Sequence, residues 1–382
     1  MPLPSDPRTA FHLPEGVIYL DTASNAPRLR VVDDALREAW QAGVAPWRLD
    51  WDAWQASTER VRGLASRLFN ADLHEDADGV ALVPSVAHAM STVAAQWPLA
   101  PGDTVGIVDG EFPSSLLPWQ VRCAATGARL QAVGRGDATA GFLSLLQRPG
   151  TALLVLSETH WRDGRRLDLD RIAAAAHAAG VPVVLDLSQS HGVLPCDVER
   201  WRPAVAMSVG YKWWLATKGL CALWVASAWR GRLASLEHHW QGRAPRQPWR
   251  FDAVQPPPLR AGARGLDGGE VAEPLRLAIT GAALACIVDW TPTAIAARLD
   301  ALLARLCRRL DAAGLAAWCV SPRSPHVLGI APPPERLAAM RTAFERAGIV
   351  CAERDGVFRL APHVHVTDEE IERVATAIVS AA

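Results

Sequence analysis

The chain of 382 residues is half hydrophobic and has a formal net charge of −1. That is enough apolar material for a full-sized core and a smaller unit beside it, and too little net charge for a general attraction to nucleic acid or an acidic membrane surface. No stretch of 18 uncharged apolar residues and no leader-like apolar segment occurs, so the expectation is a cytoplasmic protein with no membrane span. The seven cysteines are scattered without a CxxC pair, which suits reduced thiols better than a disulfide framework.

In chain order, short apolar runs at 80–83, 104–108, 152–156, 182–186 and 221–225 are bounded by Gly, Pro or Asp and read as buried strands. Segments 57–69, 85–97, 114–126 and 168–179 carry apolar residues at a spacing near 3.6 and read as the helices between them. The Pro-, Arg- and Trp-rich stretch 240–262 reads as a long connection and marks a domain boundary. Beyond it, 272–288 and 293–313 predict two helices, 326–330 a strand, 334–347 a helix, 349–352 and 357–360 short strands, and 367–381 a last helix. The expected fold class is α/β, with a large domain built on a mostly parallel mixed sheet and a smaller α+β domain. The expected boundaries are an N-terminal segment 1–20, a large domain 21–255 and a small domain 256–382.

Lysine is used twice only, at Lys212 and Lys218, and tyrosine twice, at Tyr19 and Tyr211. Arginine serves wherever charge alone is needed, so a retained lysine points to what a guanidinium cannot do: lose a proton and attack a carbonyl. Three strand ends place polar residues at the carboxyl rim of the expected sheet, where α/β folds hold ligands. The first is VALVPSVAHAMSTVA, whose turn through Ser85, Val86 and Ala87 opens a helix and suits a phosphate. The second is PVVLDLSQSHG, which ends a strand on Asp186 and continues to Gln189. An acid there is a helix cap, a metal ligand or the partner of a bound cation, and no cluster with metal-ligand spacing accompanies it. The third is AMSVGYKWWLATKGLCALWV, which sets Lys212 in a Gly- and aromatic-rich turn with Ser208 and Tyr211 offering hydroxyls. Together these fit pyridoxal 5'-phosphate (PLP), with Lys212 as a Schiff base and Asp186 on the pyridinium nitrogen.

With VIYLDTASNAP (17–27), GEFPSSLLPWQ (110–120) and GVFRLAPHVHVTDEEIERV (356–374), these motifs make nearly the whole chain resemble the class V aminotransferase group of fold-type I PLP enzymes. That group includes cysteine desulfurases, selenocysteine lyases, kynureninases and isopenicillin N epimerase-like proteins. The resemblance implies that Lys212 is the catalytic lysine and that Asp186, Gln189, Ser85, Val86, Ala87, Ser208 and Tyr211 bind the cofactor. It implies that Phe112 stacks on the cofactor ring and that Arg359 and Asn25 bind substrate. The bidentate guanidinium of Arg359 suits an α-carboxylate. The implied reaction runs through an external aldimine and a carbanion at Cα of an amino acid, ending in C–S or C–C lyase chemistry, with transamination and epimerisation as alternatives. A homodimer is also implied.

Some residues depart from that group. Val86 and Ala87 stand where many relatives have hydroxyls, and Gly269-Glu270 in LDGGEVAEP (266–274) replaces Gly-Thr in the stretch that reaches the partner's cofactor phosphate. Cys351, inside the apolar run GIVCA, reads as packing rather than as a desulfurase thiol, and Phe112 replaces the histidine of many desulfurases. His238-His239 reads as surface, His363 and His365 as bordering the site, and the tryptophans 47, 51, 54, 240 and 249 as a candidate aromatic substrate pocket. A catalytically silent scaffold remains the rival of another class, and a nucleotide-binding Rossmann enzyme is a further one that lacks GxGxxG after its first strand.

Overall fold

The computed structural model describes residue 3 and residues 7–244 and 253–382. Seven strands form the main sheet: β1 (Val80–Val83), β2 (Thr104–Val108), β3 (Arg129–Val133), β4 (Thr151–Leu156), β5 (Val183–Asp186), β6 (Val205–Val209) and β7 (Cys221–Val225). Their order is β1-β7-β6-β5-β4-β2-β3, with β7 antiparallel to both neighbours and the other pairings parallel. Because β7 reverses twice, β1 runs in the same sense as the remaining five, and six strands deliver their carboxyl ends to one rim.

The strands are apolar on both faces, as a sheet covered on both sides requires. Val105, Ile107, Leu153, Val155 and Val184 join one core cluster, while Val108, Leu154, Leu156 and Leu185 join the other. The first face is covered by α3 (Val86–Gln96) and α4 (Pro113–Thr126). The second holds the buried side chains of α5 (Ala138–Leu146) and α6 (Leu169–Ala178), with α1 (Arg30–Gly43), α2 (Trp51–Arg67) and α7 (Pro274–Trp290) packed together. Helix starts follow the local chemistry. Asp50, Ser85, Asp168 and Glu273 each cap a first turn by accepting backbone N–H groups, and Gly127, at φ +75°, ends α4 in the left-handed region open to glycine.

A second layer holds α8 (Pro292–Ala312), α9 (Leu337–Arg346) and α10 (Asp368–Ala381) against a three-stranded antiparallel sheet, β8 (Leu328–Ile330), β9 (Ala352–Arg354) and β10 (Val357–Leu360). A capping box between Thr367 and Glu370 starts α10. The N-terminal chain is woven into this layer: Ile18–Tyr19 pairs in parallel with Ile349–Val350.

Three elements escape the sequence reading: α1, β3 and α5. Within α1 only Val32 is buried, and Val31 and Trp40 face outward, so little of the helix belongs to the core. Strand β3 is an edge strand with one buried residue, and its two polar side chains blur the apolar run. Helix α2 begins earlier than the reading of 57–69, because Asp50 caps it before its apolar period starts. Among the described residues, no single helix is long and apolar enough to cross a membrane.

Candidate active site

The rim of carboxyl ends encloses a cavity of about 330 Å³. Strand β6 leads through Gly210 into Tyr211 and Lys212, β5 ends on Asp186, and β1 leads into the first turn of α3. Strand β2 leads into Glu111 and Phe112, the latter the residue before α4. Ser85, Val86, Ala87, Phe112, Asp186, Gln189, Tyr211 and Lys212 all line this space.

The Lys212 ammonium is buried, 5.4 Å from the Phe112 ring centroid and 5.7 Å from that of Tyr211. Burial brings its pKa down to about 8, and Asp186 opposes that fall without cancelling it. About a tenth is therefore the free amine at pH 7, the form that attacks carbonyls, far more than in an ordinary lysine. Asp186 is held by two donors: Ser115 Oγ gives Oδ2 a hydrogen bond of 2.5 Å, and the Ser188 N–H gives Oδ1 one of 3.0 Å. Gln189 is fixed at both ends of its amide, donating to Ala23 O at 3.1 Å and accepting from Trp213 Nε1 at 3.1 Å. Ser85 caps α3 by accepting the His88 N–H at 3.0 Å, which leaves its own hydroxyl hydrogen able to donate.

Other sequence candidates fall elsewhere. Ser208 alternates to the opposite face of β6 from the lining residue Val209, and its hydroxyl meets only Val209 O at 3.4 Å. Asn25 is exposed and outside the cavity lining; its carbonyl accepts the Tyr19 hydroxyl at 2.8 Å. Arg359 is buried behind Trp161. It donates to Asp21 Oδ1 at 2.8 Å, to Ser24 Oγ at 2.7 Å and to Trp161 O, while its Nε has no partner. His363 and His365 do not border the cavity. His363 sits among Phe11, Trp213 and Trp290, and His365 meets Tyr19 O at 2.9 Å. His239 is anchored at 2.6 Å to Asp267 O, so the histidine pair is not simply surface. Trp51, Trp54 and Trp240 pack on one another away from the cavity, Trp47 is exposed, and Trp249 lies outside the described residues. Among the described residues, none of these tryptophans lines the cavity at Lys212.

Trp161, Ser115, Glu111 and Lys218 are additions that motif reading missed. Trp161 meets Phe112 edge to face at 5.3 Å and gives the cavity a second aromatic wall. Glu111 is buried, with Oε1 accepting the Phe112 N–H at 2.7 Å and Oε2 unpartnered. Burial, reinforced by Asp186, pushes its carboxyl pKa up. The signal for Glu111 and Ser115 was present in GEFPSS, but only the fold brings both next to Asp186. Cys351 lies outside the cavity lining, and burial pushes its thiol up to about 12, so it is not a ready nucleophile.

The geometry of the site itself suits PLP. A buried amine with a lowered pKa, an anchored acid across the cavity, an aromatic face beside the amine and the first turn of a helix are the groups that cofactor needs. The unpartnered Ser188 hydroxyl and Glu111 Oε2 are spare polar groups in the same wall. The residues fit.

Comparison with known proteins agrees. The family model described as aminotransferase class-V matches residues 18–257. The chain is 26% identical over 337 residues to an uncharacterized aminotransferase of Bacillus subtilis, covering 87% of this chain and 85% of that one. It is 30% identical over 247 residues to a kynureninase of Deinococcus radiodurans, covering 62% of this chain and 58% of that one. Against a cysteine desulfurase of Klebsiella pneumoniae it is 28% identical over 263 residues, covering 62% and 63%. The last two matches thus span about three-fifths of those relatives. The structure of a cysteine desulfurase from Thermococcus onnurineus superposes with a TM-score of 0.81 at 17% identity over 99% of this chain and 98% of that one, which shows a shared fold. The chain belongs to the aminotransferase class-V family of PLP-dependent enzymes.

Proposed function

We propose that the protein is a lyase acting on an amino acid, with Lys212 as the residue that tethers the cofactor and carries protons at the substrate Cα. The observation behind this is the buried Lys212 amine, with its pKa near 8, in a cavity that also holds Asp186 and the Phe112 ring. Asp186 would pair with the cofactor's ring nitrogen, Phe112 would cover a ring face, and Gln189 would lie near the phenolic oxygen. The first turn of α3, Ser85 and Tyr211 would take the phosphate. When bound, PLP supplies an electron sink for the bond broken at Cα.

The remaining work falls to this chain's own groups. Ser115 and the Ser188 N–H hold Asp186 in one orientation, so its charge stays aimed at one point. Lys212, near half-ionised just above neutral pH, can both take and return a proton. Trp161 and Phe112 exclude water from one wall and favour an apolar or aromatic substrate side chain. Arg359 would receive the α-carboxylate, which requires the Asp21 carboxylate to give up its place.

A lyase is favoured over a transaminase by the kynureninase and cysteine desulfurase among the relatives. With the Cys351 thiol buried and protonated, a persulfide on that residue is disfavoured. A homodimer is proposed as the working unit, because the segment 266–274 resembles one that reaches a partner's site. Sedimentation of the holoenzyme as a monomer would argue against that.

The test is the visible spectrum of the purified protein before and after borohydride, with Lys212→Ala alongside, followed by amino acids screened for spectral change and product. A yellow wild type that bleaches on reduction, carries its label on Lys212 and releases a cleaved side chain supports the reading. Colourless protein after added PLP would sink it and leave a scaffold. Keto-acid formation without cleavage would instead make it an aminotransferase.

A further inference from the structure

Lys218, the second of the two lysines, has no role in the proposed lyase chemistry. It follows the Lys212 turn on the connection from β6 to β7 and lines the same cavity from an exposed position. Its ammonium stands 5.4 Å from the Tyr211 ring centroid, and the Lys212 ammonium stands 5.7 Å from the same ring. The two amines therefore share Tyr211 as a neighbour, and among the described residues they are the only cationic side chains that line the cavity.

A phosphate monoester carries a charge of about −1.5 to −2 at neutral pH. The turn at the start of α3 offers it a helix terminus worth roughly half a positive charge. It also offers the Ser85 hydroxyl, already engaged with the His88 N–H. Val86 and Ala87 bring no side-chain donor. With Lys212 committed to the aldehyde, the turn lacks one full positive charge, and Lys218 is the lining residue that has one. Its four-carbon stem can swing from an exposed rim into the cavity. The next residue, Gly219, takes φ +87°, a conformation open to glycine.

Building on the PLP reading, we propose that Lys218 is a ligand of the cofactor phosphate and does the work of the side-chain hydroxyls that Val86 and Ala87 lack. The lysine then discriminates PLP from pyridoxal, which has the same ring and aldehyde without the phosphate.

The experiment titrates apoenzyme with PLP and, separately, with pyridoxal, following tryptophan fluorescence, for wild type, Lys218→Gln and Lys218→Arg. Lys218 is exposed, so both variants are expected to keep the wild-type circular dichroism. The expected result is that Lys218→Gln weakens PLP by about tenfold or more while pyridoxal affinity stays within about twofold, with Lys218→Arg recovering most of the loss. An unchanged preference for PLP over pyridoxal in Lys218→Gln overturns the proposal. So does a variant that binds PLP normally and shows only a raised KM for the amino acid, which would place the lysine on the substrate carboxylate. A wild type that binds neither aldehyde overturns the cofactor reading itself, a result distinguishable from both.

Discussion

Two sets of buried ionisable groups lie near Trp213 and Trp214, and burial has moved pKa values in both. In the cavity, Lys212 faces Asp186 and Glu111 across open space. In the seam behind it, His191, His326, His363 and His365 are packed without solvent. His191 and His326 are pushed down to about 3 and His365 to about 4, with His363 well below its ordinary value, all chiefly by burial. His191 accepts from Trp214 Nε1 at 2.9 Å, and His326 meets Gln189 O at 2.6 Å under an edge-to-face Trp213. A perturbed pKa therefore does not by itself mark a site. The cavity differs in having room for a ligand and opposed charges around it, whereas the seam holds neutral rings in a fixed jigsaw.

The largest effect separating the two should come from acid. An imidazole whose folded pKa is far below 6.5 gives full stability above pH 6.5 and loses it as pH falls, because the unfolded chain then binds a proton that the folded one refuses. Four such rings add up to roughly 5 kcal/mol per pH unit, enough to exhaust the stability of a typical domain near pH 5. Denaturant midpoints of apoenzyme from pH 7.5 to 5 should fall steeply below 6.5, and His363→Leu should flatten that fall by about a quarter. A midpoint independent of pH over this range would remove the seam from the comparison.

Within the cavity, Asp186→Asn keeps the shape and removes the charge. The expected loss in kcat is about 10²- to 10³-fold, with near-wild-type folding. A smaller loss, within tenfold, would mean that Asp186 serves structure.

Lys212→Met should stabilise the apoenzyme at pH 7 by about 3 kcal/mol, the free energy equivalent of lowering an amine from 10.5 to about 8. Below pH 8 the folded protein bears the full penalty of a buried ammonium. Between pH 8 and 10.5 the folded state sheds that proton first, so the gain over wild type should shrink and then vanish. Thermal melts at pH 7, 9 and 10.5 measure this, and a constant difference would contradict it.

The smallest expected effect concerns Arg359. Asp21→Asn leaves the buried guanidinium with Ser24 and Trp161 O alone, and apoenzyme should lose about 2 kcal/mol. Saturating amino acid should restore much of that loss if Arg359 binds the α-carboxylate, and calorimetry with and without the amino acid reads it directly.

Much of this site was legible in the chain. Asp186 and Lys212 stand at the ends of apolar runs, and a parallel sheet brings such ends to one rim. Val86, Ala87 and Phe112 open helices that follow strands, and Gln189 sits in the turn after Asp186. Ser208 failed because strand alternation sends it to the face away from the cavity, a register that only the sheet fixes. Arg359 was found as a residue, but its Asp21 partner comes from the other end of the chain.

The sequence by itself determined the large-domain architecture, the use of a lysine where arginine would otherwise serve, and the order of the motifs, because these depend on periodicity and on residue chemistry close along the chain. Tertiary structure alone decided that Ser115 anchors Asp186, that Trp161 walls the cavity between Phe112 and Arg359, and that both lysines meet at Tyr211. Those contacts join segments far apart in sequence, and their distances are set by how the sheet and its covering helices pack rather than by local pattern.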